Sequence, residues 1–304
     1  MGYTTWSSDM YDRLRSSYTN KTGKDIFSSH GMSDNMSPFG VRYRESRDSA
    51  VHPQSLAVQV YLDVTGSMGR IPEVLVKQKL GSLMNTLMAH GIEHPQILFG
   101  AIGDHQCDRF PLQVGQFESG TEELNRWLTE TYLEGGGGGQ HMESYLLAWW
   151  FAARHTATDC FEKRGQKGFV FTIGDEWTWN NVDPHVLQRI TGMREKQMIS
   201  AGQVLQEAMY SNHVFHIHVN EGSYRNAPMI IEPWKALLGE RLISLDDHRA
   251  VAETIASTVA VLQGVDLQQM ASSFDAQTAQ SVVNAVGGVK KGTRDNQFPT
   301  IYLK

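Results

Sequence analysis

The stretch YLDVTGSMG, residues 61–69, ends an apolar run in a carboxylate, Asp63. Two hydroxyls follow at alternate positions, Thr65 and Ser67, with Gly66 and Gly69 around them. Oxygen donors spaced this way on a tight turn are the ligands that hard cations take. Three other short stretches carry matching chemistry. One holds Asp104, with His105 and Asp108 just beyond. One is the glycine run 135–139, leading into Gln140, His141, Glu143 and Ser144. The third holds Asp175 and Glu176, followed by Trp177 and Trp179. Carboxylates gathered at one edge repel one another unless a cation sits among them. The chemistry expected is therefore binding of a divalent cation, Mg²⁺ first, with Mn²⁺ or Ca²⁺ as substitutes.

Such residues need elements that bring them to one place. LAVQVYLD (56–63) reads as a buried strand, and 72–90 follows with helical spacing and Pro72 near its first turn. QILFGAIGD (96–104) is a second strand, and 109–117 a short third one, confined to an edge by Pro111. Helices are expected at 121–133 and 142–156, a buried strand at 168–175, and helical sequence over 184–210. A strand at 213–219, a short helix at 232–239, a short strand at 241–245 and a helix at 246–263 complete the series. This alternation predicts an α/β fold, doubly wound, with a mostly parallel sheet and helices on both faces. Right-handed crossovers then put the carboxyl ends of the strands, and the four acidic stretches, on one rim.

Three regions follow from composition. Residues 1–54 are polar and poor in aliphatics, an irregular arm with a short helix around residues 11–17; aromatics such as Trp6, Tyr11 and Tyr18 favour packing over disorder. Residues 55–263 form the domain, and 264–304 a tail of polar helix-like sequence ending in a loop.

Asp63-Thr65-Ser67 is the D-x-T-x-S form of the metal-ion-dependent adhesion site, and with the α/β pattern behind it the chain resembles the von Willebrand factor A-type domain over roughly residues 55–263. The resemblance implies that the hydroxyls of Thr65 and Ser67 bind the metal directly. It implies too that Asp63 and Asp175, the latter as the family's distant Asp, mostly hold its waters, and that an open metal position accepts a carboxylate from a protein partner; Asp104 is a further candidate metal residue from its place on the rim. The family usually places a Thr directly after its glycines; here Gln140 stands there, and Glu143 comes three residues later. If Glu143 replaces that Thr, Asp63, Glu143 and Asp175 set three negative charges against two positive ones, a net −1 rather than 0. Weaker capture of acidic ligands is then expected. Glu143 capping its helix is the alternative, since acids favour helix amino ends. Trp177, Trp179, Gln140 and His141 are the candidate partner-binding rim, although the tryptophans could equally pack beneath the loop.

The function implied is a metal-dependent protein–protein interaction module, not an enzyme, working in an intracellular assembly. The partner implied by the resemblance is an AAA+ ATPase of the MoxR type or another assembly subunit. A metal-assisted hydrolase using the same rim with His105 or His141 is an alternative, and so is a purely structural subunit. No Ser-His-Asp elbow or metalloprotease helix signature appears. The glycine run is neither a phosphate loop nor a dinucleotide fingerprint. His216 and His218 alternate on one strand, but no third zinc ligand accompanies them.

Composition narrows the classes further. Of 304 residues, 40% are hydrophobic and 20% charged, enough to build a large core. A net charge of −6 with no basic block argues against nucleic acid. Two cysteines, far apart, suit a reducing compartment. With no signal peptide at the start and no apolar run near the ~18 residues of a membrane span, the expected location is cytoplasmic, away from membranes.

Overall fold

The computed structural model describes residues 3–66, 68, 70–135, 141–221 and 224–289. The arm carries α1 (Ser8–Ser17), α2 (Gly23–Ile26), a 3-10 turn at Asp34–Met36 and β1 (Arg44–Ser46). The domain proper begins with β2 (Leu56–Asp63), α3 (Arg70–Val74) and α4 (Leu80–Ala89). Next come β3 (Pro95–Ile102), β4 (Leu112–Val114), α5 (Thr121–Thr129), β5 (Met142–Glu143) and α6 (Tyr145–Arg154). Then follow β6 (Thr156–Thr158), α7 (Asp159–Arg164), β7 (Gly168–Gly174), β8 (Trp177–Thr178), β9 (Asn181–Val182) and α8 (Pro184–Thr191). The chain continues through β10 (Ile199–Ser200), α9 (Ala201–Ser211), β11 (Asn212–Val219), α10 (Pro228–Leu238) and β12 (Leu242–Leu245). It closes with α11 (Val251–Gln263), α12 (Leu267–Ala271) and α13 (Ala276–Val286).

The central sheet has six strands in the order β12-β11-β7-β2-β3-β4. The first five are mutually parallel, and β4 pairs antiparallel to β3 at the edge. This is the doubly wound α/β fold expected from the alternation. Every residue of β2, β3 and β7 is buried, as central parallel strands with both faces covered must be. Helices α4 and α11 pack together, as do α6 and α9. Because β2 lies between β3 and β7, the carboxyl ends of all three open onto one rim, with Asp63 between the loops that carry Asp104 and Asp175.

The strand at 109–117 contracts to Leu112–Val114, just past Pro111, on the edge where a missing N–H is tolerated. The helix expected at 142–156 starts only at Tyr145. Met142–Glu143 is drawn instead into a parallel pairing with Trp177–Thr178, and Thr178 Oγ1 accepts the Leu146 N–H at 3.2 Å. The helical stretch 184–210 is two helices. Gly192, at φ 77°, ends α8 in the left-handed conformation that glycine takes without strain. Ile199–Ser200 then pairs with Asn181–Val182 before Ser200 caps α9. The short helix expected at 232–239 begins earlier, at Pro228, a residue suited to a first helical position. The last domain helix begins later than expected, at Val251.

The arm lies against the domain. Tyr11 of α1 is 3% exposed and covers Gly81 of α4 so closely that a Cβ there would sit 2.5 Å from the ring. Trp6 Nε1–H donates to Asn85 at 2.8 Å, and β1 pairs in parallel with β6. At the other end α12 and α13 pack on α11, and α13 also on β12. Among the described residues no helix is long and apolar enough to cross a membrane.

Candidate metal centre

The rim is built outward from Asp63, the last residue of a strand with no exposed position, itself 1% exposed. Its Oδ1 accepts two bonds from the turn that follows, Thr65 N–H at 2.9 Å and Thr65 Oγ1–H at 2.6 Å. Its Oδ2 accepts the phenol of Tyr145 at 2.9 Å. That last contact depends on Gly174, the residue ahead of Asp175. A Cβ at Gly174 would fall 1.8 Å from the Tyr145 hydroxyl and 2.9 Å from Asp63 Oδ2. Burial raises the Asp63 carboxyl toward neutrality, and neighbouring Asp175 pushes the same way, against the Thr65 and Tyr145 hydrogen bonds.

The loop after β3 brings Asp104, 2% exposed. Its Oδ1 accepts Trp179 Nε1–H at 2.8 Å and Gln106 N–H at 2.9 Å, and its Oδ2 accepts the Cys107 thiol at 2.9 Å. Asp104 is thus engaged by protein donors. Asp108 sits beside it, its Oδ2 accepting the Asp104 N–H at 2.6 Å, and burial raises its carboxyl.

Glu143 is the unusual member. It is 3% exposed, and among the described residues its Oε2 has no hydrogen-bond partner. It caps nothing: it lies in β5, and no side chain caps α6. Burial, followed by the charges of Asp63, Glu176, Asp108 and Asp104, drives its carboxyl far above the ordinary range. Glu176 is raised to about 7 by burial and then by Asp63, Asp175, Asp104 and Asp108. Six carboxylates therefore feel one another across the rim. A seventh group, Tyr145, is held protonated by burial among them.

Asp175, 3% exposed, opens with Gly66 and Met68 onto a cleft of about 280 Å³ that also meets Arg70, Glu221 and His248. Among the described residues, the rim carboxylates do not form a direct cage with three ligand atoms within 4.8 Å of one another; the group that does is Glu221, Asp247 and His248. Those side chains are already paired. His248 Nδ1 lies 3.0 Å from Glu221 Oε2, and Asp247 takes two bonds from Arg249, at 2.8 and 2.7 Å.

Of the residues expected from sequence, Asp63, Thr65, Asp104, Glu143 and Asp175 are thus on one rim. Ser67 and Gln140 lie outside the described residues. Trp177 is half-buried, edge-on to Trp234 with ring centres 4.7 Å apart. Trp179 is half-buried, edge-on to His105 at 5.3 Å, and bonded to Asp104. His141 is exposed, and its Nδ1 bonds the Tyr224 hydroxyl. His216 and His218 are both buried, with His216 stacked on Trp234 at 3.8 Å and bonded through Nδ1 to Thr172 at 3.0 Å. Burial lowers both imidazoles, His218 to about 4, which keeps them neutral. Sequence reasoning missed Tyr145. Its one signal is a phenol opening an otherwise apolar helix, YLLAWWFAA.

No protein-family model matches the chain, and no curated protein matches it. Among solved structures, the pilus adhesin SpaC from Lactobacillus rhamnosus GG in its open conformation aligns at 9% identity with a TM-score of 0.44, over 71% of this chain and 31% of the adhesin. A second form of the same adhesin aligns at 9% identity and a TM-score of 0.43, over 71% of this chain and 32% of that one. The chain spans about a third of the length of those adhesin chains.

Proposed function

We propose that the rim holds one divalent cation, Mg²⁺ in the first instance, and that the loaded rim docks a protein partner, as a variant of the metal-ion-dependent adhesion site in a von Willebrand factor A-type domain. One observation carries this reading: Glu143 Oε2, buried and without a partner among the described residues, faces repulsion from four other carboxylates. In the metal-free chain this carboxyl is held protonated, and ionising it without a counter-charge costs several kcal/mol, on the order given for breaking a buried ion pair. Among the described residues no Lys or Arg forms an ion pair with Glu143, and a cation would relieve that cost. Hydroxyl and carboxylate oxygens are the right donors for a hard ion.

Thr65, Ser67 and Glu143 would hold the ion, with Asp63, Asp104 and Asp175 around them. The ion would supply positive charge at a rim otherwise hostile to acidic partners. Asp63 positions Thr65 by accepting its hydroxyl, Tyr145 fixes Asp63 from below, and Trp179 fixes Asp104. With Glu143 in place of a neutral ligand, capture of an acidic partner group is weaker than at a site that keeps the Thr. An assembly subunit, including an AAA+ ATPase of the MoxR type, is the class of partner the resemblance implies. A cytoplasmic location suits two cysteines not joined in a disulfide, Cys107 exposed and Cys160 buried.

The test is a pull-down with native chain and with Asp63→Ala, each in Mg²⁺ and in chelator. The reading expects the same partners to be lost on mutation and on chelation. Partners retained under both conditions would refute it.

A further inference from the structure

A second cleft, of about 680 Å³, opens beside the rim between the loop after Asp104, the stretch 179–183 and helix α8. Its volume is in the range of small-ligand sites. Its apolar lining includes Met142, the half-buried Trp179 and Met198, which is 56% exposed. Its polar lining is mostly donors, with Asp183 the exception.

Arg189 is the cation of this cleft, and among the described residues it has no carboxylate within ion-pair distance. Its Nη2 donates to the His105 carbonyl at 3.2 Å, which anchors the guanidinium and leaves the rest of its fork for a ligand. His105 adds a second donor. Ser144 Oγ accepts the His105 backbone N–H at 2.9 Å and lies 2.8 Å from His105 Nδ1. We assign the tautomer in which Nδ1 accepts the Ser144 hydroxyl proton and Nε2 carries the ring proton; His105, 7% exposed, lines the cleft. Asp183, the carboxylate of the cleft, is occupied at Oδ1 by the His185 N–H at 2.8 Å, capping α8. The side-chain amides of Asn180 and Asn181 complete the polar wall.

We propose that this cleft binds a ligand carrying a carboxylate next to an aliphatic group, with the carboxylate between Arg189 and His105 Nε2–H and the aliphatic part against Trp179, Met142 and Met198. This site does not depend on the cation. Arg–carboxylate pairing is charge-assisted and takes two parallel bonds, which sets carboxylates above amides here.

The probes are N-acetyl-leucine and its uncharged amide, N-acetyl-leucinamide, titrated by calorimetry into the whole chain in chelator, so that no metal competes for the acid. The acid is expected to bind with a millimolar Kd, and the amide about tenfold more weakly. Arg189→Ala should weaken the acid about tenfold and bring acid and amide together, while Arg189→Lys retains part of the preference. Met198→Asp, an exposed change, should weaken both ligands by removing an apolar contact, and the acid more because of the added negative charge. Equal binding of acid and amide, an unaffected Arg189→Ala, or no heat at about 20 mM acid would each overturn the proposal. A tetrapeptide ending in leucine distinguishes a chain terminus from a free small acid by binding more tightly than N-acetyl-leucine.

Discussion

Two groups of carboxylates in this molecule are built in opposite ways. Where the arm meets α7, Glu45, Asp48, Asp159 and Glu162 alternate with Arg47, Lys163 and Arg164. Arg47 bonds Glu45 at 2.8 Å, Asp159 at 2.8 Å and also Glu162. Lys163 bonds Asp159 at 2.6 Å, and Arg164 bonds Asp48 at 2.6 Å. Despite some burial, hydrogen bonds from Lys163, the Asp48 N–H and Arg47 hold Asp159 down at about 2, and Arg164 and Ser55 lower Asp48. On the rim, among the described residues, Asp63, Asp108, Glu143 and Glu176 form no ion pair with Lys or Arg, and all four are raised. The paired group is a clasp that fastens the arm. The rim group carries a desolvation and repulsion cost, which a bound cation offsets under the proposed function.

Substitutions should therefore act with opposite sign. Arg47→Ala strips a partner from three carboxylates at once and should destabilise the chain by roughly 1–3 kcal/mol, the clasp being partly solvated. Urea unfolding measures this. Glu143→Gln, of similar shape but without the charge, should instead stabilise the metal-free chain by roughly 1–2 kcal/mol, while abolishing any gain in stability from added Mg²⁺. A destabilised Glu143→Gln in chelator would remove the contrast.

The two groups also part company with pH. Glu143 and Glu176 are raised in the folded state, so the native chain holds more protons than the unfolded one. The stability of the metal-free protein from this source is greatest near pH 4 and falls as pH rises toward 7 and beyond. Asp48 and Asp159 are lowered, so their contribution is present above the ordinary carboxylate range and lost as pH falls below about 4 toward 2. The difference in stability between Glu143→Gln and native chain should consequently widen from pH 5 to pH 8 in chelator, and a constant difference would contradict the rim's coupling. The smallest effect expected is Trp179→Phe, which removes one donor from Asp104 and should cost about 1 kcal/mol.

Much of this was legible in the chain itself. The apolar strands ending in Asp63, Asp104 and Asp175 announced the parallel sheet and its rim, because buried central strands and their carboxyl ends leave a strong pattern. The edge position of β4 followed from Pro111. What escaped depends on pairings between distant short segments. Glu143 lies in a two-residue strand, not a helix, only because residues 177–178 reach across to it. The break at Gly192 is masked in the sequence by helical spacing on both sides. Tyr145 under Asp63, and Gly174 leaving room for it, are matters of three-dimensional contact that no local spacing encodes. The clasp was equally hidden, since Arg47 and Asp159 are 112 positions apart.

Mn²⁺ titration followed by electron paramagnetic resonance tests the central claim most directly, on native chain, Asp63→Ala and Glu143→Gln. One bound ion per native chain, displaced by Mg²⁺ and lost or greatly weakened in both variants, is the result expected. No bound ion in the native chain, or one that binds equally well to all three, would contradict it.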